Sequence, residues 1–299
     1  MAYFLLVLTV LFWAGNFVLA RSLVDLLPPV SMASMRWSLA FILLLPFVYS
    51  RLWRDRTLLI KHWKIITLLS VFGVAAFNTT VYLGVQHTTA TNGALLQSFI
   101  PIMVLILSVI FFKEKISAKQ LLGVCFLFFG GVVIIAKGQL DTLLAFSLNQ
   151  GDLWILASVS SWTIYSVLLR YKPTQLDGLS FLAASIFIGN LMLYPLVYWE
   201  LQYVDINSFN INWEISTAVM YLAIFPSLLA YFFWNRAVAE VGAAKASLFI
   251  HLLPVFGTLL ATLLLDEAVQ LFHLLGILLI FIGIYLAIIT DILRRSKSR

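Results

Sequence analysis

Eleven polar or aromatic residues stand inside long apolar runs of this 299-residue sequence, where a polar group is costly unless it finds a partner. In the first half these are Trp13, Asn16, Asn78, Tyr82, Gln97 and Ser98; in the second they are Trp162, Tyr165, Tyr231, Asn235 and His251. Asn78 and Tyr82 are four apart, so a helix would put them on one face. The amides of Asn16, Asn78 and Gln97 offer both donors and acceptors, which suits an α-amino or carboxylate group. The Trp and Tyr rings can stack on an aromatic solute or attract a cation. His251 is able to carry a proton or to meet a carboxylate. These eleven are the candidate residues for binding a small solute; hydrogen bonding and packing between helices is the competing reading for the same positions.

Other chemistry finds no support in the residue pattern. His62, His87, His251 and His273 are far apart, and no HExxH spacing, clustered carboxylates or nucleophile with a base in reach is present. An enzyme, a metal site or a bound cofactor is therefore not expected. Every Asp and Glu falls at the end of an apolar run or in a connection, so no carboxylate is available at mid-membrane as a proton or sodium relay. Arg36 lies about a turn inside the second run from the external side; it could attract anionic solutes, and the favoured expectation is that it snorkels outward or forms a structural ion pair. Cys125, the one cysteine, sits in an apolar run and reads as a small core hydrophobe.

The elements that must position these residues follow from composition. The chain is 62% hydrophobic and 11% charged, with a mean hydropathy of +1.01, whereas a soluble domain has about 45–50% apolar and about 25% charged residues. It belongs in a bilayer. Apolar runs bounded by charge, Pro or Gly predict ten spans at 3–20, 32–50, 65–85, 92–112, 118–136, 153–170, 179–199, 216–236, 245–265 and 271–290. The first run lacks a basic segment ahead of it and reads as a retained helix rather than a cleaved signal. Of the 19 Lys and Arg residues, 16 fall in connections after even-numbered spans or in the tail 291–299, and only Arg21 and Lys137 fall on the other side. That asymmetry places both termini in the cytoplasm. The net charge of +6 is thus topological and does not form a nucleic-acid patch.

The chain also repeats itself. Shifted by 153 positions, 82–136 matches 235–289 at 12 of 55, including Pro101/Pro254, Glu114/Glu267, Gly123/Gly276 and Gly130/Gly283; nearer the front of each half the shift is 149, as in Trp13/Trp162 and Pro46/Pro195. Each half holds five spans, so the second must be inverted in the membrane. The predicted fold is an all-α integral membrane protein of ten transmembrane helices in two inverted five-helix repeats, 1–137 and 152–290, followed by a basic cytoplasmic tail, 291–299. Inverted repeats of this kind commonly enclose a solute site near the midplane and reach it from alternate sides. Pro101 and Pro254 are expected to kink the fourth and ninth helices, Glu114 and Glu267 to fix connections, and Gly123, Gly130, Gly131, Gly276 and Gly283 to let helices approach closely.

Two stretches carry a family resemblance: Gly84 to Val133, GVQHTTATNGALLQSFIPIMVLILSVIFFKEKISAKQLLGVCFLFFGGVV, and Ala230 to Leu286, AYFFWNRAVAEVGAAKASLFIHLLPVFGTLLATLLLDEAVQLFHLLGILLIFIGIYL. With the opening FWAGNFVLAR and the MRW of the first hairpin, they resemble the EamA branch of the drug/metabolite transporter superfamily across nearly the whole chain. The resemblance implies a ten-helix carrier of small metabolites, typically an exporter of amino acids or related zwitterions, in the plasma (inner) membrane. A carrier of quaternary amines or other organic cations is the alternative that the Trp and Tyr content raises, and an intramembrane enzyme or a lipid-handling protein is a remote one. The expected partners are a small-molecule solute and membrane lipid, with no nucleic acid, in a monomer or homodimer.

Overall fold

The computed structural model describes residues 1–23, 26–144, 148–204, 212–265 and 268–289, and among them there is no strand. Ten long helical segments run in sequence, with one short helix, Leu140–Leu144, between the fifth and sixth: α1 Ala2–Leu23, α2 Pro29–Lys61, α3 Trp63–His87, α4 Thr91–Phe112, α5 Ala118–Ile135, α6 Gln150–Tyr171, α7 Gly178–Glu200, α8 Trp213–Val241, α9 Ala243–Leu263 and α10 Leu271–Ile288. Nine of them, α2 to α10, are long and apolar enough to cross a membrane; α1 contributes a shorter described apolar stretch, Ala2–Asn16. The protein is an all-helical membrane protein of inverted-repeat fold. The tail 291–299, Asp266 and Glu267 lie outside the described residues, as do the side chain of Arg21 and the final residue of the expected tenth span.

The helix ends depart from the apolar runs where local chemistry extends them. Helix α2 has 33 residues, about 50 Å at 1.5 Å per residue, so it outruns a hydrocarbon core of about 30 Å. Its final turns carry Arg51, Arg54, Arg56 and Lys61 beyond the apolar run, since these long-chained residues favour helix as well as any apolar one. Asn149 caps α6, with its side chain taking the amide of Asp152 while the Asp152 carboxylate takes the amide of Asn149. This reciprocal cap starts the helix at Gln150, three residues ahead of the apolar run.

Helices of the two repeats interleave. The pair α2 and α7 and the pair α5 and α10 each join equivalent helices across the pseudo-two-fold axis, while α1 packs on α8 and α6 packs on α3. At the α5–α10 contact a Cβ added to Gly123 or Gly130 would lie 2.8 Å from the carbonyl of Gly283 or Gly276, and the reverse approach from Gly276 and Gly283 is 2.7 Å. Backbone therefore meets backbone there, as the matched glycines imply. Gly131 differs: a Cβ there would face His251 Nδ1 at 3.6 Å and Ser98 Oγ at 3.9 Å. Both ends of the α2–α7 pair are clasped. The Glu200 carboxylate at the end of α7 accepts from the amides of Val30 (2.9 Å) and Ser31 (2.7 Å) and from the Ser31 hydroxyl. At the other end Arg51 pairs with Asp177, which caps the start of α7 through the amides of Leu179 and Ser180. Glu114 likewise pairs with Arg170, tying the α4–α5 connection to the end of α6. Cys125 is exposed on the outer face of α5 and is not a core residue, because an apolar run says nothing about which side of a helix faces lipid.

Candidate functional site

Each repeat interrupts two of its helices at matched places. Residues 71–76 of α3 and 223–229 of α8 wind as π-helix, and these two stretches coincide once shifted by 153. A wider turn of this kind leaves backbone carbonyls unspent and often marks a functional position. The Gly73 carbonyl accepts the Tyr231 hydroxyl at 2.6 Å, and the Pro226 carbonyl accepts Trp13 Nε1 at 3.2 Å. Each π segment is thereby bonded to a side chain from the opposite repeat. The other interruption lies just before the matched prolines. Helix α4 stops at Gln97 and restarts at Ile100, and α9 passes through a 3-10 turn, Leu248–Leu252. Proline has no amide hydrogen to give the residue four before it, and those residues, Gln97 and Ile250, both face the central cavity.

That cavity is narrow, with a volume of ≈ 40 Å³. At roughly 10–15 Å³ per water on that measure, this is room for about three. Seven of the eleven expected residues line it, namely Trp13, Asn16, Asn78, Tyr82, Gln97, Trp162 and Tyr231. Four do not. Tyr165 and Asn235 are sealed behind the rings of Trp162 and Tyr231, where the Tyr165 hydroxyl donates to Asn235 Oδ1 at 2.6 Å. Ser98 donates to the Ala94 carbonyl, and His251, 2% exposed, has no partner for Nε2 among the described residues. These last two, counterparts under the repeat, both face Gly131.

Aromatic rings make the wall of the cavity. Trp13 and Trp162 meet edge to face at 5.0 Å, and Tyr231 lies 5.4 Å from Trp162 and 5.0 Å from Trp37. Edge-to-face contacts direct ring hydrogens at neighbouring π faces, which holds the cluster together beyond its burial. Trp162 Nε1 has no acceptor among the described residues. By repeat symmetry its acceptor would be the carbonyl of Gly73, and Tyr231 already occupies it.

Arg36 is the residue that the sequence reading misplaced. It neither snorkels nor forms an ion pair; it is 2% exposed and turns into the cavity. Its Nη2 donates to Asn78 Oδ1, and its Nη1 donates to Tyr82 OH at 2.9 Å and to Asn16 Oδ1 at 3.2 Å. The guanidinium also lies 4.9 Å from the Trp37 ring and 5.7 Å from the Tyr82 ring. Among the described residues no carboxylate pairs with it, and its Nε donor is unspent. A signal was available: Asn16, Asn78 and Tyr82 bring three acceptor oxygens to one depth of the first repeat. The other missed lining residues, Phe77, Val81, Ile100, Pro226, Ile250 and Leu253, are apolar, and nothing in their identity separates cavity wall from core.

The arrangement is a small, aromatic-walled site with one buried cation, between two inverted repeats, and comparison with known proteins agrees with it. Residues 1–136 and 149–289 each match the EamA-like transporter family. The uncharacterized transporter YyaM of Bacillus subtilis is 29% identical over 277 residues, covering 93% of this chain and 90% of that one. An uncharacterized transporter of Archaeoglobus fulgidus is 28% identical, covering 95% and 96%. A solved crystal structure, 17% identical, superposes with a TM-score of 0.77 over 97% of this chain and 96% of its own, which speaks to the fold alone. The chain belongs to the EamA-like transporter family and is a membrane transporter.

Proposed function

We propose that the protein is a secondary carrier that moves amino acids or related zwitterions across the plasma (inner) membrane by alternating access, with both termini in the cytoplasm. The two repeats, 1–137 and 152–290, move relative to each other around the central cavity, and the tail 291–299 stays in the cytoplasm. One observation carries the solute class: among the described residues Arg36, in the cavity wall, has only neutral partners. A buried charge without a counter-charge costs several kcal/mol, and a solute carboxylate would supply that counter-charge through paired N–H donors. The same guanidinium repels a quaternary amine, so it weighs against the organic-cation reading despite the ring wall. The solute's amino group would meet π faces and amide oxygens such as those of Asn16 and Gln97. The scarcity of free space implies that side chains shift when a solute enters. Absence of any mid-membrane carboxylate supports a carrier that runs down its solute's own gradient, as exporter or exchanger.

The test is a thermal-shift panel of the purified protein against amino acids, choline and other quaternary amines, nucleosides and sugars. Amino acids are expected to raise the melting temperature and choline to leave it unchanged. Stabilisation by choline alone would overturn the reading.

A further inference from the structure

The first and third helices of each repeat carry one Tyr and one Asn at equivalent positions, in swapped order. Asn16 on α1 and Tyr82 on α3 correspond to Tyr165 on α6 and Asn235 on α8. Their hydrogen bonding differs. In the second repeat the pair bonds directly, Tyr165 OH to Asn235 Oδ1 at 2.6 Å, and is shut off from the cavity. In the first repeat the pair is bridged: Arg36 Nη1 donates to both Asn16 Oδ1 (3.2 Å) and Tyr82 OH (2.9 Å), and both side chains line the cavity. The Tyr82 hydroxyl accepts from Arg36 and finds no acceptor for its own hydrogen among the described residues. Asn16 Oδ1 is the acceptor that the repeat symmetry assigns to it.

We propose that these two Tyr–Asn pairs are the alternating gates of the carrier. Tyr165 and Asn235 close the path on one side in this state, and Arg36 wedges Asn16 and Tyr82 apart on the other. This rests on the carrier reading and on the positive-inside orientation, which put the closed pair in the cytoplasmic half and the wedged pair in the external half. When a solute carboxylate enters, it competes with Asn16 and Tyr82 for Arg36 and draws the guanidinium into the cavity. Tyr82 O–H then donates to Asn16 Oδ1, the first repeat takes up the arrangement that the second has now, and Tyr165 parts from Asn235. Closure on one side and opening on the other are coupled because Trp13 and Tyr231, which flank the two pairs, each bond to the π segment of the opposite repeat. A ligand shifts such an equilibrium only through a difference in its contacts with the two states, and Arg36 supplies that difference.

Tyr165→Phe and Tyr82→Phe test this in the purified, ligand-free protein, by hydrogen–deuterium exchange followed by mass spectrometry. Both keep the ring and remove one hydroxyl. Tyr165→Phe is expected to raise exchange about five-fold in residues 160–168 and 230–238, the shift that one buried hydrogen bond produces, and to lower it in residues 10–16 and 78–86. Tyr82→Phe is expected to do the reverse, raising exchange in 10–16 and 78–86 and lowering it in 160–168 and 230–238. Loosening confined to the substituted repeat, or no change in either, would overturn the gate pairing. If Tyr165→Phe does not fold, Asn235→Leu removes the same bond without stranding an amide and carries the same expectation. Exchange is read without solute and flux with it, so failure of the carrier reading shows separately, as absent transport of every amino acid tried.

Discussion

In the first repeat Asn16, Arg36, Asn78 and Tyr82 form one connected set of hydrogen bonds on the cavity wall. In the second repeat the equivalent residues Tyr165, Ser185, Tyr231 and Asn235 fall apart into separate contacts. Tyr165 bonds Asn235, Tyr231 crosses to Gly73 and to Asn78 of the first repeat, and among the described residues the Ser185 hydroxyl has no partner. The helices that carry the two sets are equivalent but all four paired side chains differ, and among those differences one changes charge: a guanidinium stands where its repeat partner has a hydroxyl. A long cationic side chain can gather acceptors from α1 and α3 at once, and a serine cannot reach them. The duplication therefore supplies a symmetric frame, and one asymmetric charge sets the chemistry of the site.

The largest effect should come from breaking that asymmetry. Arg36→Gln keeps hydrogen-bonding capacity and removes the charge; affinity for a carboxylate solute, measured by titration calorimetry, is expected to fall about 100-fold. The melting temperature of the unliganded protein should hold or rise, because a lone buried charge is removed. A fall in affinity of less than three-fold would mean that the two half-sites do not differ in the way described.

The ends of the α2–α7 pair sharpen the comparison on the scale of stability. Glu200 is buried and accepts three hydrogen bonds at the start of α2, whereas the Arg51–Asp177 pair is partly exposed, with side chains 46% and 25% accessible. Glu200→Ala is expected to cost about 2 kcal/mol, since hydrogen bonds to a buried charge are worth more and the helix dipole adds to them. Arg51→Ala is expected to cost about 0.5 kcal/mol, as exposed ion pairs do. Equal losses in a denaturation series would show that the two ends are equivalent after all.

The smallest contrast concerns the two tryptophans. Trp13 Nε1 has the Pro226 carbonyl, and Trp162 Nε1 has no acceptor among the described residues. Trp162 also meets the rings of Phe77 and Tyr165, so the bond is isolated with benzothienylalanine, which keeps the shape of the indole and lacks its N–H. At position 13 this replacement is expected to cost about 1 kcal/mol and at position 162 nothing, read from paired melting curves.

Legibility of these features in the sequence followed the range of the physics involved. The π segments left no hydropathy signature, since all of Val71–Ala76 and most of Ala223–Leu229 are apolar residues that suit any helix. Gly73 and Pro226, equivalent positions holding the two residues that least favour an α-helix interior, were the only hint. Tyr165 and Asn235 stand out in the sequence as polar residues at matched depth, yet depth does not say which side of a helix wall they occupy, and neither lines the cavity. The breaks in α4 and α9 were readable from Pro101 and Pro254, because a missing amide hydrogen acts locally.

The sequence by itself determined that the chain lives in a bilayer as a multi-pass helical protein and that its halves are inverted copies. Transfer of a helical segment into lipid depends on that segment's own composition, and an odd number of spans per repeat leaves no other arrangement. Only the tertiary structure decided that Arg36 points inward. Its direction depends on oxygens from α1 and α3, and their meeting at one point is a property of how the helices rotate and pack against one another.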